Sequence, residues 1–160
     1  MCTTVFKVLL HDIQFISNYM YILDFSNFQK NIDIISKNYK YAVEKGADLV
    51  VFPEMSITGY PPQDLLNNKE FISQNISCLN ELVKSITIPC ILGYVDFEDN
   101  KKFNAAAVCQ DGEIVYKYHK IHLPNYDVFD ERRYFHSGDS VGVFDLKVNN
   151  SDYKIALQIC

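Results

Sequence analysis

One glutamate, Glu54, follows a short apolar run and a proline. Residues 49–52 read LVVF without a break, which is typical of a strand buried on both faces of an α/β sheet. Pro53 has no amide N–H to donate, so the strand should end there and present Glu54 at its carboxyl end, where open α/β folds place their chemistry. A carboxylate in that position can take up and return a proton. Glu54 is therefore the first candidate catalytic residue, and a solvated loop glutamate is the alternative.

Nucleophiles and metal ligands are the next groups that could do chemistry. His119 and His122 form an H-x-x-H pair with no acidic third ligand nearby in the sequence, so we predict no metal site there. Residues 137–140 (SGDS) neither follow a buried strand nor open a helix, which indicates a turn and not a phosphate-binding loop. The cysteines are odd in number and lack a C-x-x-C pair, so at least one is available as a nucleophile: Cys2, Cys78, Cys90, Cys109 and Cys160.

The composition of the chain is that of an ordinary globular domain. Its 160 residues are 48% hydrophobic and 22% charged, which is enough to form a core. The net charge of -5 and the lack of a basic patch argue against nucleic acid and anionic membranes as partners. No stretch approaches the roughly 20 apolar residues of a membrane span, and the N-terminus lacks a signal-peptide pattern. We therefore expect a cytoplasmic protein that acts on small molecules.

Strands and helices should alternate in the first half of the chain. Residues 5–10 form a short apolar run, residues 15–25 have no clear period, and Ser26 or Asn27 can cap a helix that runs to about residue 45. After the strand at 49–52, a second helical region opens at Pro61-Pro62 and ends before Pro89. The first helix should bury one stripe of residues at helical spacing: Phe28, Ile32, Ile35, Tyr39 and Val43.

The second half of the chain reads as antiparallel strands. We predict strands at 90–95, 103–109 and 114–118, with a hairpin turn at 110–113, and two more at 141–146 and 153–159. Between them, residues 119–140 have no clean period, and loops of that length usually carry function. The sequence stops at the end of a strand, so we expect the fold to be incomplete.

Three blocks of the sequence resemble a known family. GADLVVFPEMSITGYPPQDLL, NAAAVCQDGEIVYKYHKIHLPNYDVFDERRYF and YKIALQIC are similar to the glutamine-hydrolysing amidase domain of glutamine-dependent NAD synthetases, within the nitrilase (carbon-nitrogen hydrolase) superfamily. The resemblance runs from about Asn31 onward, and GYPPQDLL and LPNYDVFDERRYF are its specific parts. It implies an α/β fold in which residues 1–160 form the first part of a four-layer αββα sandwich, without an ATP-dependent synthetase domain.

The resemblance also implies a Glu-Lys-Cys catalytic site at Glu54, Lys120 and Cys160. Because an amide is a poor electrophile, its hydrolysis needs a thiolate nucleophile, a carboxylate to move the proton and a cation to stabilise the oxyanion. Cys160 would be the nucleophile, Glu54 the base and Lys120 the cation. Tyr126 resembles a glutamine-binding tyrosine, and Glu131 resembles the further glutamate that relatives place beside the lysine.

The implied partners are glutamine, the synthetase domain or remaining half of the amidase domain, and further copies of the full-length protein. No cofactor is expected in this stretch, whereas the synthetase domain would use ATP and Mg²⁺ to amidate deamido-NAD. We expect the 160 residues alone to hydrolyse little glutamine. Two alternatives remain: an amidase of another nitrilase branch, and a non-catalytic remnant that binds a partner through its sheet edge.

Overall fold

The structure is a computed structural model, and it describes residues 7–8, 15–17, 27–125 and 130–159. Within these residues the chain alternates strands and helices before it turns to antiparallel strands. The helices are α1 (Phe28–Glu44) and α2 (Lys69–Val83), with short 3₁₀ helices at Gln63–Asn67 and Glu131–Arg133. The strands are β1 (Lys7–Val8), β2 (Phe15–Ser17), β3 (Leu49–Val51), β4 (Cys90–Glu98), β5 (Lys101–Gln110), β6 (Glu113–His119), β7 (Gly142–Val148) and β8 (Ser151–Gln158).

The strands form two sheets. The larger has the order β2-β3-β4-β5-β6, with parallel pairing from β2 to β4 and antiparallel pairing from β4 to β6. The smaller has the order β1-β8-β7 and is antiparallel. The predicted change from parallel to antiparallel pairing is therefore confirmed. No helix in the described part of the chain is long and apolar enough to cross a membrane.

Two apolar clusters define three layers. One lies between the helices and the larger sheet and includes Ile35, Leu79 and Leu92. The other lies between the two sheets, where Val51 and Ile91 of the larger sheet share a cluster with residues of β7 and β8. Because successive side chains of a strand point to opposite faces, the central strands contribute to both clusters. This confirms the expected α/β fold class, with a helical layer on one sheet and the second sheet beneath it.

Several sequence predictions for the first half of the chain need correction. Residues 15–17 form β2, which pairs with β3 in parallel, so the segment read as irregular contains a strand. The predicted cap of α1 is confirmed at Asn27, whose side chain accepts a hydrogen bond from Lys30 N. The buried stripe of α1 differs from the prediction, because Val43 is exposed and Ala42 is buried instead. The second helical region is divided at Asn68, whose side chain caps α2.

Three antiparallel hairpins, β4-β5, β5-β6 and β7-β8, are closed by two-residue turns with positive φ at both central residues. The predicted turn at Asp111-Gly112 is present, with φ values of 51° and 81°. The same geometry occurs at Asp99-Asn100, φ 50° and 61°, and at Asn149-Asn150, φ 48° and 63°. Such turns match the twist of the strands on either side, and Asn, Asp and Gly tolerate them best. The Asp99-Asn100 turn extends β4 and β5 beyond their predicted ends.

Tyr39 of α1 forms hydrogen bonds to the segment that leads into β4, and we expect their loss to lower the free energy of unfolding. The buried hydroxyl accepts hydrogen bonds from the backbone N–H groups of Thr87 and Ile88, each 2.9 Å long. Tyr39→Phe removes that acceptor, so we expect the free energy of unfolding to fall by about 1–3 kcal/mol. Urea denaturation of the wild-type protein and the variant measures this difference in the free energy of unfolding.

The matched control is Tyr41→Phe, at a residue of the same helix that is 54% exposed. Its substitution should change the free energy of unfolding by no more than about 0.5 kcal/mol. Equal effects of the two substitutions would contradict this account of how α1 is anchored.

Candidate active site

Glu54 lies in a tight turn directly after β3, and its position depends on Gly93 of β4. The turn packs onto the strand so closely that a Cβ atom at Gly93 would lie 2.3 Å from the Pro53 carbonyl oxygen and 2.5 Å from Met55 N. The Gly93 carbonyl in turn accepts a hydrogen bond from Ile57 N, 3.1 Å long. The close packing and this hydrogen bond fix the turn against β4. In this position Glu54 is buried, with 3% of its surface exposed.

Lys120 follows β6, and the main chain on both sides holds it. Its N–H donates to the carbonyl of Asn104 on β5 at 2.8 Å, and its carbonyl accepts from Gly138 N at 2.9 Å. Gly138 can approach only because it has no side chain, since a Cβ there would lie 2.3 Å from the carbonyl oxygen of His119. Lys120 is 1% exposed, which is rare for a lysine without a functional or structural partner.

The partners of Lys120 are two buried carboxylates. Its Nζ lies 3.0 Å from Oε1 of Glu54 and 2.9 Å from Oε1 of Glu131, which stands at the start of the second 3₁₀ helix. Burial lowers the pKa of Lys120, but the two carboxylates outweigh this and hold the pKa above its usual value. Burial raises the pKa of Glu131, and the nearby Lys120 offsets only part of that rise. The site thus holds a charged ammonium with two acids around it.

Asn104 completes the cluster, and it was absent from the residues predicted from the sequence. Its Nδ2 donates to Oε1 of Glu54 and, at 3.5 Å, to Oε2 of Glu131. Two buried side-chain oxygens of the site have no hydrogen-bond partner among the described residues, Oε2 of Glu54 and Oδ1 of Asn104. The sequence does contain a signal for Asn104: it is a polar residue directly before the apolar run Ala105–Cys109, in a strand that is expected to be buried.

Two residues predicted for the site, Cys160 and Tyr126, lie outside the described residues. The last described residue, Ile159, is buried in the cluster between the sheets together with Tyr118. Burial raises the pKa of Tyr118, and backbone hydrogen bonds with Ile121 and Ile159 act in the opposite direction. Ile159, directly after β8, therefore contacts Tyr118, which lies two residues before Lys120.

A cavity of about 430 Å³ lies beside the charged cluster. Glu131 and Met55 form part of its wall, whereas Glu54 and Lys120 do not. The loop after Glu54 and the segment around Glu131 meet at its edge, where the Tyr134 hydroxyl donates a 2.7 Å hydrogen bond to Asp64. The cavity can therefore hold the body of a small molecule next to the buried charges.

Ligand types for a metal ion occur together at Asp96, Glu98 and His119, whose ligand atoms lie within 4.8 Å of one another. Lys117 already forms ion pairs with both carboxylates, because its Nζ lies 3.1 Å from Asp96 and 2.7 Å from Glu98. His119 bonds to Asp96 at 2.9 Å, whereas His122 is exposed and outside this group. We interpret the cluster as a polar network between side chains of β4 and β6.

The fold and the buried Glu-Lys cluster define a class of protein. The profile of the carbon-nitrogen hydrolase family matches residues 19–160. Since that is most of the chain, the chain belongs to the carbon-nitrogen hydrolase family.

Within this family, the chain is similar to glutamine-dependent NAD(+) synthetases. It is 39% identical to the enzyme of Thermotoga maritima over 137 residues, which cover 84% of this chain and 23% of that protein. It is 36% identical to the enzyme of Acinetobacter baylyi over 120 residues, covering 74% of this chain and 22% of that protein. The chain therefore spans about a quarter of the length of these relatives, and the resemblance predicted from the sequence is confirmed.

Solved structures agree with this assignment. The glutamine-dependent NAD+ synthetase of Acinetobacter baumannii superposes with a TM-score of 0.76 at 27% identity, over 96% of this chain and 27% of that one. An amidase of Nesterenkonia from the nitrilase superfamily superposes with a TM-score of 0.67 at 21% identity, over 88% of this chain and 52% of that one. The second likeness establishes the fold alone.

The buried cluster predicts that Lys120→Met destabilises the protein in a pH-dependent way. Removing one member of a buried ion pair leaves an uncompensated charge and typically costs about 3–5 kcal/mol. The pKa of Glu131 is already raised by burial, and loss of Lys120 raises it further. A carboxyl whose folded pKa lies above its unfolded one loses stability as pH rises through the folded value. The deficit, measured by urea denaturation, should be larger at about pH 8 than at about pH 5.

Lys154→Met is the matched control, because Lys154 forms a 2.7 Å ion pair with Asp145 on the exposed face of the smaller sheet. An exposed pair contributes at most about 1 kcal/mol. A loss at Lys120 no larger than the loss at Lys154 would contradict the buried arrangement.

Proposed function

We propose that this chain is the glutamine-hydrolysing part of a glutamine-dependent NAD synthetase, and that it releases ammonia from the side-chain amide of glutamine. The observation that carries the proposal is the buried group of Glu54, Lys120 and Glu131. A cation held between two acids has the charge needed to stabilise an oxyanion and to move a proton. Glutamine as the substrate, and NAD synthesis as the use of the ammonia, are proposed because the relatives are glutamine-dependent NAD(+) synthetases.

In the proposed mechanism, Glu54 takes the thiol proton of Cys160 and the thiolate attacks the amide carbon. The carbonyl oxygen becomes an oxyanion, which the Lys120 ammonium stabilises. Glu54 then returns the proton to the amide nitrogen, the C–N bond breaks, and ammonia leaves as a γ-glutamyl thioester forms on Cys160. Water, deprotonated by Glu54, hydrolyses the thioester to glutamate and regenerates the thiol.

The position of Ile159 supports Cys160 as the nucleophile. Residue 160 follows directly after a residue that contacts Tyr118, and Tyr118 is two residues from Lys120 in the chain. Oε2 of Glu54 has no partner among the described residues, so it can accept the thiol proton. The raised pKa of Lys120 keeps the ammonium charged through the reaction.

Glu131 and Tyr126 are proposed to bind the substrate. Glu131 lines the cavity beside the cluster and also holds Lys120, so its contribution is partly to position the cation. Tyr126 is proposed on the resemblance alone. In the complete protein, residues 1–160 would be the first part of the amidase domain, and a synthetase domain would use ATP and Mg²⁺. Glutamine, the rest of the amidase domain and further copies of the protein are the proposed partners.

The test is ammonia release from L-glutamine by the complete amidase domain, of which these residues are proposed to be the first part, and by its Glu54→Gln variant. Loss of a general base typically lowers the rate by about 10² to 10⁴. We therefore expect kcat/KM for glutamine to fall by at least about 10² in Glu54→Gln. Glu98→Gln, a glutamate of the exposed network with Lys117, is the matched control and should keep a rate close to wild type.

Other amides distinguish the alternatives. Faster release of ammonia from simple aliphatic amides than from glutamine would assign the chain to another amidase branch. If the complete wild-type domain releases no ammonia from any amide, the site is not catalytic, and the alternative of a non-catalytic binding role is supported instead.

A further inference from the structure

Asn104 joins the three charged residues of the site. It lies on β5 opposite Val95 and is fully buried. Its carbonyl accepts the N–H of Lys120 at 2.8 Å, and its side-chain amide donates to both Glu54 and Glu131. A single residue therefore contacts the proposed base, the proposed cation and the second carboxylate.

The orientation of the Asn104 amide follows from these contacts. Its nitrogen carries two N–H donors, and its oxygen is an acceptor only. Rotating the amide by a half turn would place the oxygen against the carboxylate oxygens of Glu54 and Glu131, which are also acceptors. The two carboxylates therefore fix Nδ2 toward themselves, and Oδ1 is left to face another group.

That oxygen has no donor in the described part of the chain, and neither has Oε2 of Glu54. Leaving a buried acceptor without a partner is unfavourable, and native proteins seldom do so. Here the two unpartnered oxygens belong to residues that one hydrogen bond joins. A bound molecule with two or more N–H groups on one nitrogen can supply both donors.

We propose that Asn104 binds the nitrogen of the amide that is cleaved, with Oδ1 accepting one N–H of the substrate carboxamide and then of the departing ammonia. This inference rests on the amidase function proposed above. A primary carboxamide has two N–H groups and ammonia has three, so each can serve Asn104 and Glu54 at the same time. Asn104 is then a substrate-binding residue in addition to its contacts with the carboxylates.

The contact determines where the nitrogen lone pair points. When the Cys160 thiolate forms the C–S bond, the planar amide becomes a tetrahedral adduct and the nitrogen gains a localised lone pair. Glu54 must deliver the thiol's proton to that lone pair before the C–N bond breaks. An N–H held by Oδ1 of Asn104 keeps the lone pair directed at Glu54, which is an orientation effect and not a charge effect.

The experiment compares L-glutamine with the γ-methyl ester of L-glutamate, which has the same amino-acid portion but no N–H on its leaving group. For the complete amidase domain and its variants, kcat/KM is measured for ammonia release from the amide and for methanol release from the ester. Asn104→Ala should lower both, because Glu54 loses a hydrogen bond. The amide should lose at least about tenfold more than the ester, as expected for one further hydrogen bond in the transition state.

Glu131→Gln is the matched control. It changes a residue that contacts both Asn104 and Lys120 but has no proposed contact with the nitrogen, so amide and ester should lose the same factor. Equal losses for the two substrates in Asn104→Ala would overturn the Asn104 assignment while leaving the amidase function in place. A complete wild-type domain that releases no ammonia from glutamine would instead overturn the proposed function.

Folding of the variants is checked by circular dichroism. If Asn104→Ala does not fold, Asn104→Ser replaces it, because the serine hydroxyl can still donate to Glu54. A measurement on the wild-type protein needs no variant. The γ-dimethylamide of glutamate has no N–H and should be cleaved at least about tenfold more slowly than glutamine, and equal rates would contradict the contact.

Discussion

The candidate site is built around one buried ammonium between two buried carboxylates. Taking an ion out of water costs several kcal/mol even after relaxation, and the attraction of its partners repays this only when distances are short and the remaining polar atoms are bonded. Lys120 meets the first condition with contacts of 3.0 Å and 2.9 Å. The second is not fully met among the described residues, because Oε2 of Glu54 and Oδ1 of Asn104 have no partner there. Glu54, Lys120 and Glu131 come from three separate segments, so the cluster forms only when β3 and β6 of the larger sheet and the loop that follows β6 are in place.

The fold followed from the sequence wherever a local pattern was strong. The LVVF run before Pro53 correctly predicted β3, and Asp111-Gly112 correctly predicted a hairpin turn. Residues 15–17 were misread because a three-residue strand carries too short a pattern, and its partner β3 comes from a distant part of the chain. The predicted buried face of α1 is wrong at its C-terminal end. Val43 is the more hydrophobic of two neighbouring residues and was expected in the core, but the smaller Ala42 is the one that is buried.

The site was predictable to different degrees. Glu54 could be proposed from local chemistry, as a polar residue where a buried strand stops. Lys120 has no local signal, because 66 residues separate it from Glu54 and only the resemblance to a family linked them. Asn104 was missed because its neighbours read as an ordinary strand. Its importance lies in backbone and side-chain bonds to residues far away in the sequence, which no periodicity reports.

We propose that this cluster serves a thiol at Cys160. The most direct measurement is mass spectrometry of the complete amidase domain mixed with L-glutamine and quenched in acid, followed by peptide mapping. A thiol mechanism predicts a γ-glutamyl adduct on the peptide that contains Cys160, and its loss in Cys160→Ala. Ammonia release without any acylated cysteine, or an adduct on Cys78, Cys90 or Cys109 in its place, would contradict the account.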